Sequence, residues 1–309
     1  MYNLLIADKL ADSALGYLNS KNNFNIDIKT GLSEKQLIAE ISDYHAIIVR
    51  SATKVTAAII DAAEHLKVIG RAGSGLDNID VKYAQSKGIA VFNTPGSNSQ
   101  AVAELTIGLI FSLSRQLYHA VDSIKRKRWE KSTLIGSEVK GKTLGLIGFG
   151  QIGQKVGEMA AGIGMRILVN KNQPVTRSPG YEFEMVSIET LYSKSDYISI
   201  HIPLNKQTTN LISLNEIKKM KPTAYLINCS RGGIVNEKDL LYAIENDLIA
   251  GAALDVFSKE PPVEFKLINQ DRIIATPHIG GSTHESQQRV GIDIIDLVTD
   301  FLETKYVFI

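Results

Sequence analysis

The chain contains 309 residues, of which 44% are hydrophobic and 22% charged, and this composition is typical of a globular protein long enough for two domains. Its formal net charge of +1 provides no long-range field that would attract nucleic acid or an anionic membrane, so we expect neither as a partner. Cys229 is the only cysteine, which excludes an intrachain disulfide and favours a reducing compartment.

No targeting signal is expected at the N-terminus. Residues 1–8 reach a charge before the core of a signal peptide can form. The most apolar stretch, residues 105–113, is too short to span a bilayer. We therefore expect a cytoplasmic protein, and we expect no metal site.

Short apolar runs alternate with helix-like segments through the first hundred residues. The predicted strands are 3–7, 24–28, 46–49, 67–70 and 89–92. Such alternation implies a parallel sheet with helical crossovers. After residues 93–98 the pattern changes to a long helix over 99–115, with Asn98 or Ser99 as its cap, so a domain border is predicted there.

The same alternation continues in the second half. Its predicted strands are 143–147, 166–169, 197–201, 223–228, 249–253 and 272–275. An amphipathic helix over 285–303 is expected to return to the first unit. The predicted fold is α/β, with two doubly wound parallel-sheet domains and a cleft between them: a substrate domain of residues 1–98 plus 285–309, and a dinucleotide-binding domain of residues 99–284.

The most informative motif lies in residues 143–153. An apolar run leads directly into the pattern Gly148-x-Gly150-x-x-Gly153, and an amphipathic stretch follows. Gly148 permits a sharp turn, Gly150 admits a pyrophosphate, and Gly153 lets the next helix pack closely on the strand. Because the free N–H groups of that helix start would face the phosphates, the motif predicts a dinucleotide site.

Three polar residues follow predicted strands of the second half: Arg231, Glu260 and His278. In open parallel sheets the ligand crevice lies outside the carboxyl ends of the strands, so the three are predicted to converge on a nicotinamide. Each has an ordinary alternative. Arg231 could be a surface arginine at a helix start, Glu260 a turn residue before two prolines, and His278 a loop histidine.

An ordered set of motifs spans almost the whole chain. It comprises Val49–Val55, Gly70–Asn78, Asn93–Pro95, Trp129–Lys131, the glycine turn, Ser230–Val235, Ala253–Phe257 and Pro277–His278. In this set the chain resembles the D-isomer-specific 2-hydroxyacid dehydrogenases. The resemblance implies a flavodoxin-like substrate domain, a Rossmann dinucleotide-binding domain, and an oxidoreductase that transfers a hydride between a nicotinamide cofactor and a small D-2-hydroxy acid.

The resemblance assigns catalysis to Arg231, Glu260 and His278. His278 would take the substrate's hydroxyl proton and return it in the reverse direction, which an imidazole can do near neutral pH. Glu260 would hydrogen-bond His278. Arg231 would hold the substrate carboxylate through two parallel bonds that a lysine cannot copy.

The first domain would supply the rest of the substrate site. The glycines of Ala72–Gly75 favour a turn whose N–H groups grip a carboxylate, which makes Ala72 and Gly73 predicted substrate ligands; a plain tight turn is the alternative. Arg50 and Ser51 match positions that face the substrate phosphate in family members that use 3-phosphoglycerate. The alternative for Arg50 is a solvated surface residue.

The cofactor positions of the family fall in both halves of the chain. They are Ser74, Gly148, Gly150, Gln151, Ile152, Gly153, Ile202, Cys229, Ser230, Asp255 and Gly281. Asp255 would bind the nicotinamide carboxamide. Cys229 is explained as well by a small buried apolar residue, and it is not a catalytic thiol.

One position departs from the NAD-using members, which carry an aspartate there for the ribose hydroxyls. Lys171 replaces it, and Lys171 with Asn170 or Arg177 would attract the 2′-phosphate of NADP. The alternative is that Lys171 points to solvent and Asn170 or Asn172 serves the ribose. NAD is the predicted cofactor, and NADP stays open.

Three functions remain open at this point. The favoured reaction converts 3-phosphoglycerate to 3-phosphohydroxypyruvate at the entry to serine synthesis, because Arg50 suits a phosphorylated substrate. A glyoxylate or hydroxypyruvate reductase is the alternative, and Lys171 mildly favours it. A nucleotide-sensing protein without catalysis comes third, and the joint presence of Arg231, Glu260 and His278 argues against it.

The chain ends at Ile309, so we expect no C-terminal regulatory domain of the kind that longer family members carry. The apolar helix after Ser99 and the arm around Trp129 fit a homodimer contact, although a core position for Trp129 is an alternative. The basic run at 125–128 is interpreted as a solvated helix face.

Overall fold

The computed structural model describes residues 1–172 and 180–305. The chain divides into two compact units: unit 1 comprises Met1–Asn98 with Gly281–Ile309, and unit 2 comprises Ser99–Gly280. Within the described ranges, no helix combines the length and the apolarity that a membrane crossing requires.

Unit 1 is built on a five-stranded parallel sheet in the order β2-β1-β3-β4-β5. Its strands are β1 Tyr2–Ile6, β2 Phe24–Ile28, β3 Ala46–Val49, β4 Val68–Arg71 and β5 Ala90–Asn93. Its helices are α1 Asp12–Leu18, α2 Glu34–Glu40, α3 Ala57–Ala62, α4 Val81–Ser86 and α11 His284–Lys305, with a short 3₁₀ helix at Ile41–Asp43.

Helices cover both faces of this sheet. Ile48 packs in a core with α1 and α11, and its neighbour Ile47 packs on the opposite side with α2 and α3. All four residues of β3 are therefore buried, which explains why this central strand is a continuous apolar run rather than an alternating one.

Unit 2 is built on a seven-stranded parallel sheet in the order β12-β11-β10-β9-β6-β7-β8. Its strands are β6 Thr143–Ile147, β7 Arg166–Asn170, β8 Glu184–Met185, β9 Tyr197–Ile200, β10 Tyr225–Asn228, β11 Gly251–Leu254 and β12 Ile273–Ala275. Its helices are α5 Ser99–Ser114, α6 Leu117–Lys125, α7 Gln151–Gly162, α8 Ile188–Lys194, α9 Leu214–Ile217 and α10 Glu237–Glu245.

The predicted fold class, two doubly wound parallel α/β sheets, is confirmed, and most strands lie within two residues of their predicted bounds. In unit 2 the strand order reverses at β6, and ligands of doubly wound sheets bind at such a reversal. β8 was not predicted. It has two exposed residues at the sheet edge and therefore carries no apolar pattern.

Candidate active site

The glycine turn connects β6 to α7 at the carboxyl edge of the sheet in unit 2. Gly148 has a φ of +93°, and a Cβ placed there would fall 2.3 Å from the carbonyl oxygen of His201. A Cβ on Gly153 would fall 2.5 Å from the carbonyl oxygen of Gly148, whereas a Cβ on Gly150 would meet nothing within 4 Å. The turn therefore requires glycine at two positions and leaves open space at the third, where a phosphate can approach the backbone.

The first turn of α7 supplies donors for that phosphate. The helix has 12 residues, and its N-cap is Gly150, which offers no side-chain acceptor to the N–H groups that follow. Those donors lie at the positive end of the helix dipole. The turn fits a dinucleotide pyrophosphate, which the amides of Gln151 and Ile152 would hold, and the side chain of Ile202 lies against Gly148.

Lys171 lies at the same sheet edge as the glycine turn. In the β6–β7 register Ile147 pairs with Asn170, and the Gly148 amide donates to the Asn170 carbonyl at 2.9 Å. The Asn170 side-chain amide donates to the carbonyl of Val186 at 3.0 Å, so its side-chain oxygen remains for a ribose hydroxyl. Arg177 lies outside the described residues.

Glu260 and His278 form a hydrogen-bonded pair. Oε2 of Glu260 lies 2.7 Å from Nδ1 of His278, and Oε1 of Glu260 accepts the amide of Phe257 at 3.0 Å. With Nδ1 donating to the carboxylate, the neutral ring presents Nε2 as a proton acceptor. Because 36% of the Glu260 side chain and 48% of the His278 side chain are exposed, a substrate can reach this pair.

Asp255 holds the loop that carries His278. It is buried, its Oδ1 accepts the Thr276 hydroxyl at 2.6 Å and the Ile279 amide at 2.8 Å, and its Oδ2 accepts the Gly280 amide at 2.8 Å. These bonds bracket His278, whose φ of +53° is uncommon for a residue other than glycine. Sequence reasoning missed this anchoring role, and the predicted role of Asp255 toward the carboxamide stays a prediction.

Asn228, the last residue of β10, shapes the loop of Arg231. Its Oδ1 accepts the Ser230 amide at 3.0 Å and the Ser230 hydroxyl at 2.7 Å, and its Nδ2 donates to the Arg231 carbonyl at 2.9 Å. Nη1 of Arg231 donates to the Ser230 carbonyl at 2.8 Å. Asn228 is buried and was not predicted; an asparagine at a strand end, ahead of a tight loop, is the signal that could have revealed it.

The Arg231 loop packs directly on the loop of Glu260. A Cβ on Gly232 would fall 1.8 Å from the carbonyl oxygen of Phe257, the residue whose amide orients Glu260. The loops after β10, β11 and β12 are thus neighbours at one sheet edge. Of the three predicted catalytic side chains, the structure brings Glu260 and His278 into direct contact and places Arg231 on the adjoining loop.

Cys229 is not a nucleophile. Burial raises the pKa of its thiol to about 12, and the charge of Asp255 acts in the same direction. The thiol therefore stays protonated at neutral pH. This agrees with the interpretation of Cys229 as a small buried residue.

In unit 1 the turn after β4 offers different donors from those expected. The Ala72 amide donates to the Val49 carbonyl at 2.8 Å, and the Gly73 amide donates to the Thr94 hydroxyl at 3.0 Å. The expectation that the amides of Ala72 and Gly73 grip a carboxylate is therefore wrong, because both are already bonded within the unit. Among the hydrogen bonds of the described residues, the next two amides, those of Ser74 and Gly75, have no acceptor.

The loop of Arg50 and Ser51 follows β3, and hydrogen bonds from two side chains fix its backbone. Buried Asp8 accepts the Arg50 amide at 2.6 Å, and Asn78 donates to the Arg50 carbonyl at 2.8 Å. The Arg50 guanidinium donates through Nη1 to the Lys9 carbonyl at 3.0 Å and remains partly exposed, while Ser51 is exposed.

Arg71 is a further cation of unit 1 that sequence reasoning missed. It ends β4, and a Cβ on Gly73 would fall 1.7 Å from its Nη1, so the guanidinium lies against the turn at Ala72–Gly75. Arg71 ends β4, the strand that pairs with β3, and Arg50 follows β3. This position at a neighbouring strand end is the sequence signal that could have revealed it. Ser74 and Gly281, the two predicted cofactor residues of unit 1, both adjoin Asn98.

His201 makes unit 2 sensitive to acid. Its carbonyl lies against the glycine turn, its Nδ1 is inaccessible to solvent, its Nε2 lies 2.9 Å from the Ser199 hydroxyl, and burial lowers its pKa to about 4. The unfolded chain binds this proton near pH 6.5. The folded state therefore has its full stability above pH 6.5 and loses it as the pH falls toward 4.

We expect the free energy of unfolding to fall by about 2 kcal/mol from this group between pH 8 and pH 5, as measured by urea unfolding. A His201→Asn variant should lose that part of the pH dependence. A matched change of an exposed histidine, His284→Asn, should keep it. His45, whose pKa burial also lowers, contributes equally in all three proteins. Identical slopes for the His201→Asn variant and the wild type would contradict this assignment.

The fold and the glycine turn define a dinucleotide-binding α/β protein. A family model described as D-isomer specific 2-hydroxyacid dehydrogenase, NAD binding domain, matches residues 107–280. Over 303 residues the chain is 43% identical to a Synechocystis protein named D-3-phosphoglycerate dehydrogenase. This match covers 98% of this chain and 54% of that relative. Over 301 residues it is 42% identical to a Thermotoga maritima protein named hydroxypyruvate reductase. This match covers 96% of this chain and 97% of that relative.

A solved structure of D-lactate dehydrogenase from Aquifex aeolicus, complexed with NAD and lactic acid, superposes with a TM-score of 0.87 at 27% identity and covers 98% of this chain and 96% of that one. The chain belongs to the D-isomer-specific 2-hydroxyacid dehydrogenase family. It spans about half the length of the Synechocystis relative and nearly all of the Thermotoga relative.

Proposed function

We propose that the chain is a dehydrogenase that interconverts a D-2-hydroxy acid and its 2-oxo acid. The Glu260–His278 pair, held at 2.7 Å at the carboxyl edge of the dinucleotide-binding sheet, is the observation that carries this proposal. When bound, the nicotinamide would accept or supply the hydride at carbon 2.

The chain's own residues move the proton and hold the acid. In the oxidative direction Nε2 of His278 accepts the hydroxyl proton, while the proton on Nδ1 stays in the bond to Glu260, whose charge stabilises the imidazolium. Arg231 binds the carboxylate through two parallel bonds and so fixes the orientation of carbon 2. In the reductive direction the imidazolium returns the proton to the carbonyl oxygen.

The substrate pair that we favour is 3-phosphoglycerate and 3-phosphohydroxypyruvate. Arg50 and Arg71 place two guanidinium groups at the ends of neighbouring strands in unit 1, and arginine binds phosphate through paired charged bonds. The name of the Synechocystis relative points the same way. Reduction of hydroxypyruvate is the second candidate, supported by the name of the Thermotoga relative.

A reduction assay separates these substrates. With 3-phosphohydroxypyruvate, hydroxypyruvate and glyoxylate compared at equal enzyme, we expect kcat/KM to be highest for the phosphorylated acid. Arg50→Leu should lower that value by about tenfold, the usual effect of removing one charged bond, and leave kcat/KM for hydroxypyruvate within twofold. Equal rates with all three acids would contradict the phosphoglycerate assignment and favour a reductase.

The cofactor that we propose is NAD, with NADP accepted through Lys171. No carboxylate occupies the end of β7. Asn170 and Lys171 are there instead, at the sheet edge that also carries the glycine turn. A positive charge there attracts a 2′-phosphate, and the side-chain oxygen of Asn170 can accept a ribose hydroxyl in its absence.

Exchanging that charge tests the cofactor proposal. We expect Lys171→Asp to lower kcat/KM for NADPH by about a hundredfold, because a favourable charge contact becomes a repulsion. The value for NADH should stay the same or rise. Lys142→Asp, which changes the same charge at the opposite end of the sheet, is the control and should change neither value. An unaltered NADPH to NADH ratio in Lys171→Asp would remove Lys171 as a phosphate ligand.

We also propose that the protein is a cytoplasmic homodimer. Unit 2 carries a set of exposed large apolar side chains on α5, α6 and the segment that follows: Phe111, Leu117, Tyr118, Val121, Ile124, Trp129 and Ile135. Trp129 is 81% exposed, so it is not a core residue, and a second copy would cover such a surface.

In the basic run at 125–128, Arg126 and Arg128 lie beside Asp122, as expected for a solvated helix face. A single buried thiol needs no oxidising compartment.

A further inference from the structure

We propose that Thr94 is a positioning residue for the substrate carboxylate. It fixes the turn at Ala72–Gly75 so that the consecutive amides of Ser74 and Gly75 face a bound carboxylate. The inference rests on the proposed function, and it concerns unit 1 alone.

Thr94 and Gly73 are bonded in both directions. In the sheet Arg71 pairs with Asn93, so the segments that follow β4 and β5 leave the sheet side by side. The Gly73 amide donates to Oγ1 of Thr94 at 3.0 Å, and the Thr94 amide donates to the Gly73 carbonyl at 3.1 Å. These two bonds fix the peptide groups on both sides of Gly73, whose φ of +141° favours glycine.

The rest of the turn is held by asparagines from the same segment. Nδ2 of Asn93 donates to the Ser74 carbonyl at 2.6 Å, and the Ser74 hydroxyl donates to Oδ1 of Asn98 at 2.8 Å. With the Ala72 amide bonded to Val49, the two amides of Ser74 and Gly75 are the donors left over. Successive amides in such a turn form a concave anion site, and two donors match the two oxygens of a carboxylate.

The hydroxyl of Thr94 cannot be replaced by water from outside. Thr94 is 2% exposed, and its β-branched side chain has restricted rotamers. A valine has nearly the same shape but no acceptor, so Thr94→Val leaves the Gly73 amide unsatisfied at a buried position. We expect the turn to shift and the two free amides to lose their alignment.

The test compares three variants. Thr94→Val removes the acceptor and Thr94→Ser retains it. Thr299→Val is the matched control, because Thr299 is also buried in unit 1 and its hydroxyl donates to the Ile295 carbonyl at 2.9 Å. Each protein is assayed for KM and kcat and, by calorimetry, for binding of 3-phosphoglycerate, D-glycerate and NADH.

For Thr94→Val we expect about tenfold weaker binding of both acids and a tenfold higher KM, with kcat nearly unchanged. The melting temperature should fall by a few degrees, because the unsatisfied amide also costs stability. The affinity for NADH should change much less than that for the acids, because most of the predicted cofactor residues lie outside this turn. Thr94→Ser should restore most of the affinity, and Thr299→Val should leave it unaltered. D-glycerate has a carboxylate and no phosphate, so an equal loss for both acids assigns the turn to the carboxylate.

Wild-type affinity in Thr94→Val, or a loss for 3-phosphoglycerate alone, would overturn the inference. An equal loss of kcat and of NADH binding would also overturn it, because Thr94 would then support the fold in general. Failure of the proposed function gives a different result: the wild type would turn over none of the three oxo acids, and binding of D-glycerate would still decide the role of Thr94. A wild type that binds neither acid would refute both.

Discussion

Replacing His278 by asparagine is expected to lower kcat by about a thousandfold, the usual range for loss of a general acid–base group. Asparagine tolerates the left-handed backbone that His278 adopts at φ +53°, so the loop held by Asp255 should keep its shape. The His278→Asn variant loses the ring nitrogen Nε2 that would accept the substrate proton. It keeps the hydrogen bonds between Asp255 and the loop.

Steady-state kinetics in both directions measure this effect. NADH affinity should stay within about twofold of the wild type, and His284→Asn, an exposed histidine changed in the same way, should retain full activity. A His278→Asn protein that keeps more than a tenth of the wild-type kcat would contradict the proton-transfer role.

The second large effect is expected for Arg231→Lys. A lysine keeps the positive charge but cannot make two parallel bonds to a carboxylate, and an ammonium is more strongly hydrated than a guanidinium. We expect kcat/KM to fall by about a hundredfold or more, the equivalent of one or two charged hydrogen bonds. The Asn228 contacts that shape the loop involve the backbone of Arg231, so the fold should persist.

Thermal unfolding and NADH titration test whether Arg231→Lys keeps the fold. Its melting temperature and its affinity for NADH should match those of the wild type. Arg166→Lys, at the exposed start of β7, is the matched control and should leave kcat/KM unchanged. Near-normal turnover by Arg231→Lys would show that Arg231 does not hold the substrate.

The strands and the glycine turn could be predicted because their signals are local. β3 and β6 are continuous apolar runs since both faces of each sheet are covered. Gly148 and Gly153 are required by contacts within one turn and its neighbouring strand. Such patterns can be recognised in a single stretch of sequence.

The features that were missed depend on partners far apart in the chain. The sequence predicts free amides at Ala72 and Gly73, but their acceptors, Val49 and Thr94, come from other strand ends. These acceptors become visible only once the strand register is known. The sequence pattern indicates a turn at Ala72–Gly75 but not which of its amides are already bonded.

The anchoring of His278 by Asp255 has the same cause. The carboxylate follows β11 and the loop it holds follows β12, so the contact arises from the pairing of the two strands. The resemblance drew attention to Asp255 for a different role. Its burial, which requires three internal donors, could not be inferred from its position in the sequence.

The most direct measurement is a crystal structure of the protein with NADH and oxamate, a non-reactive analogue of a 2-oxo acid. We predict that Nε2 of His278 lies about 3 Å from the oxygen on carbon 2 and that the Arg231 guanidinium binds the carboxylate with two bonds. A ligand-filled protein in which the imidazole is out of hydrogen-bond reach of that oxygen would contradict the proposed chemistry.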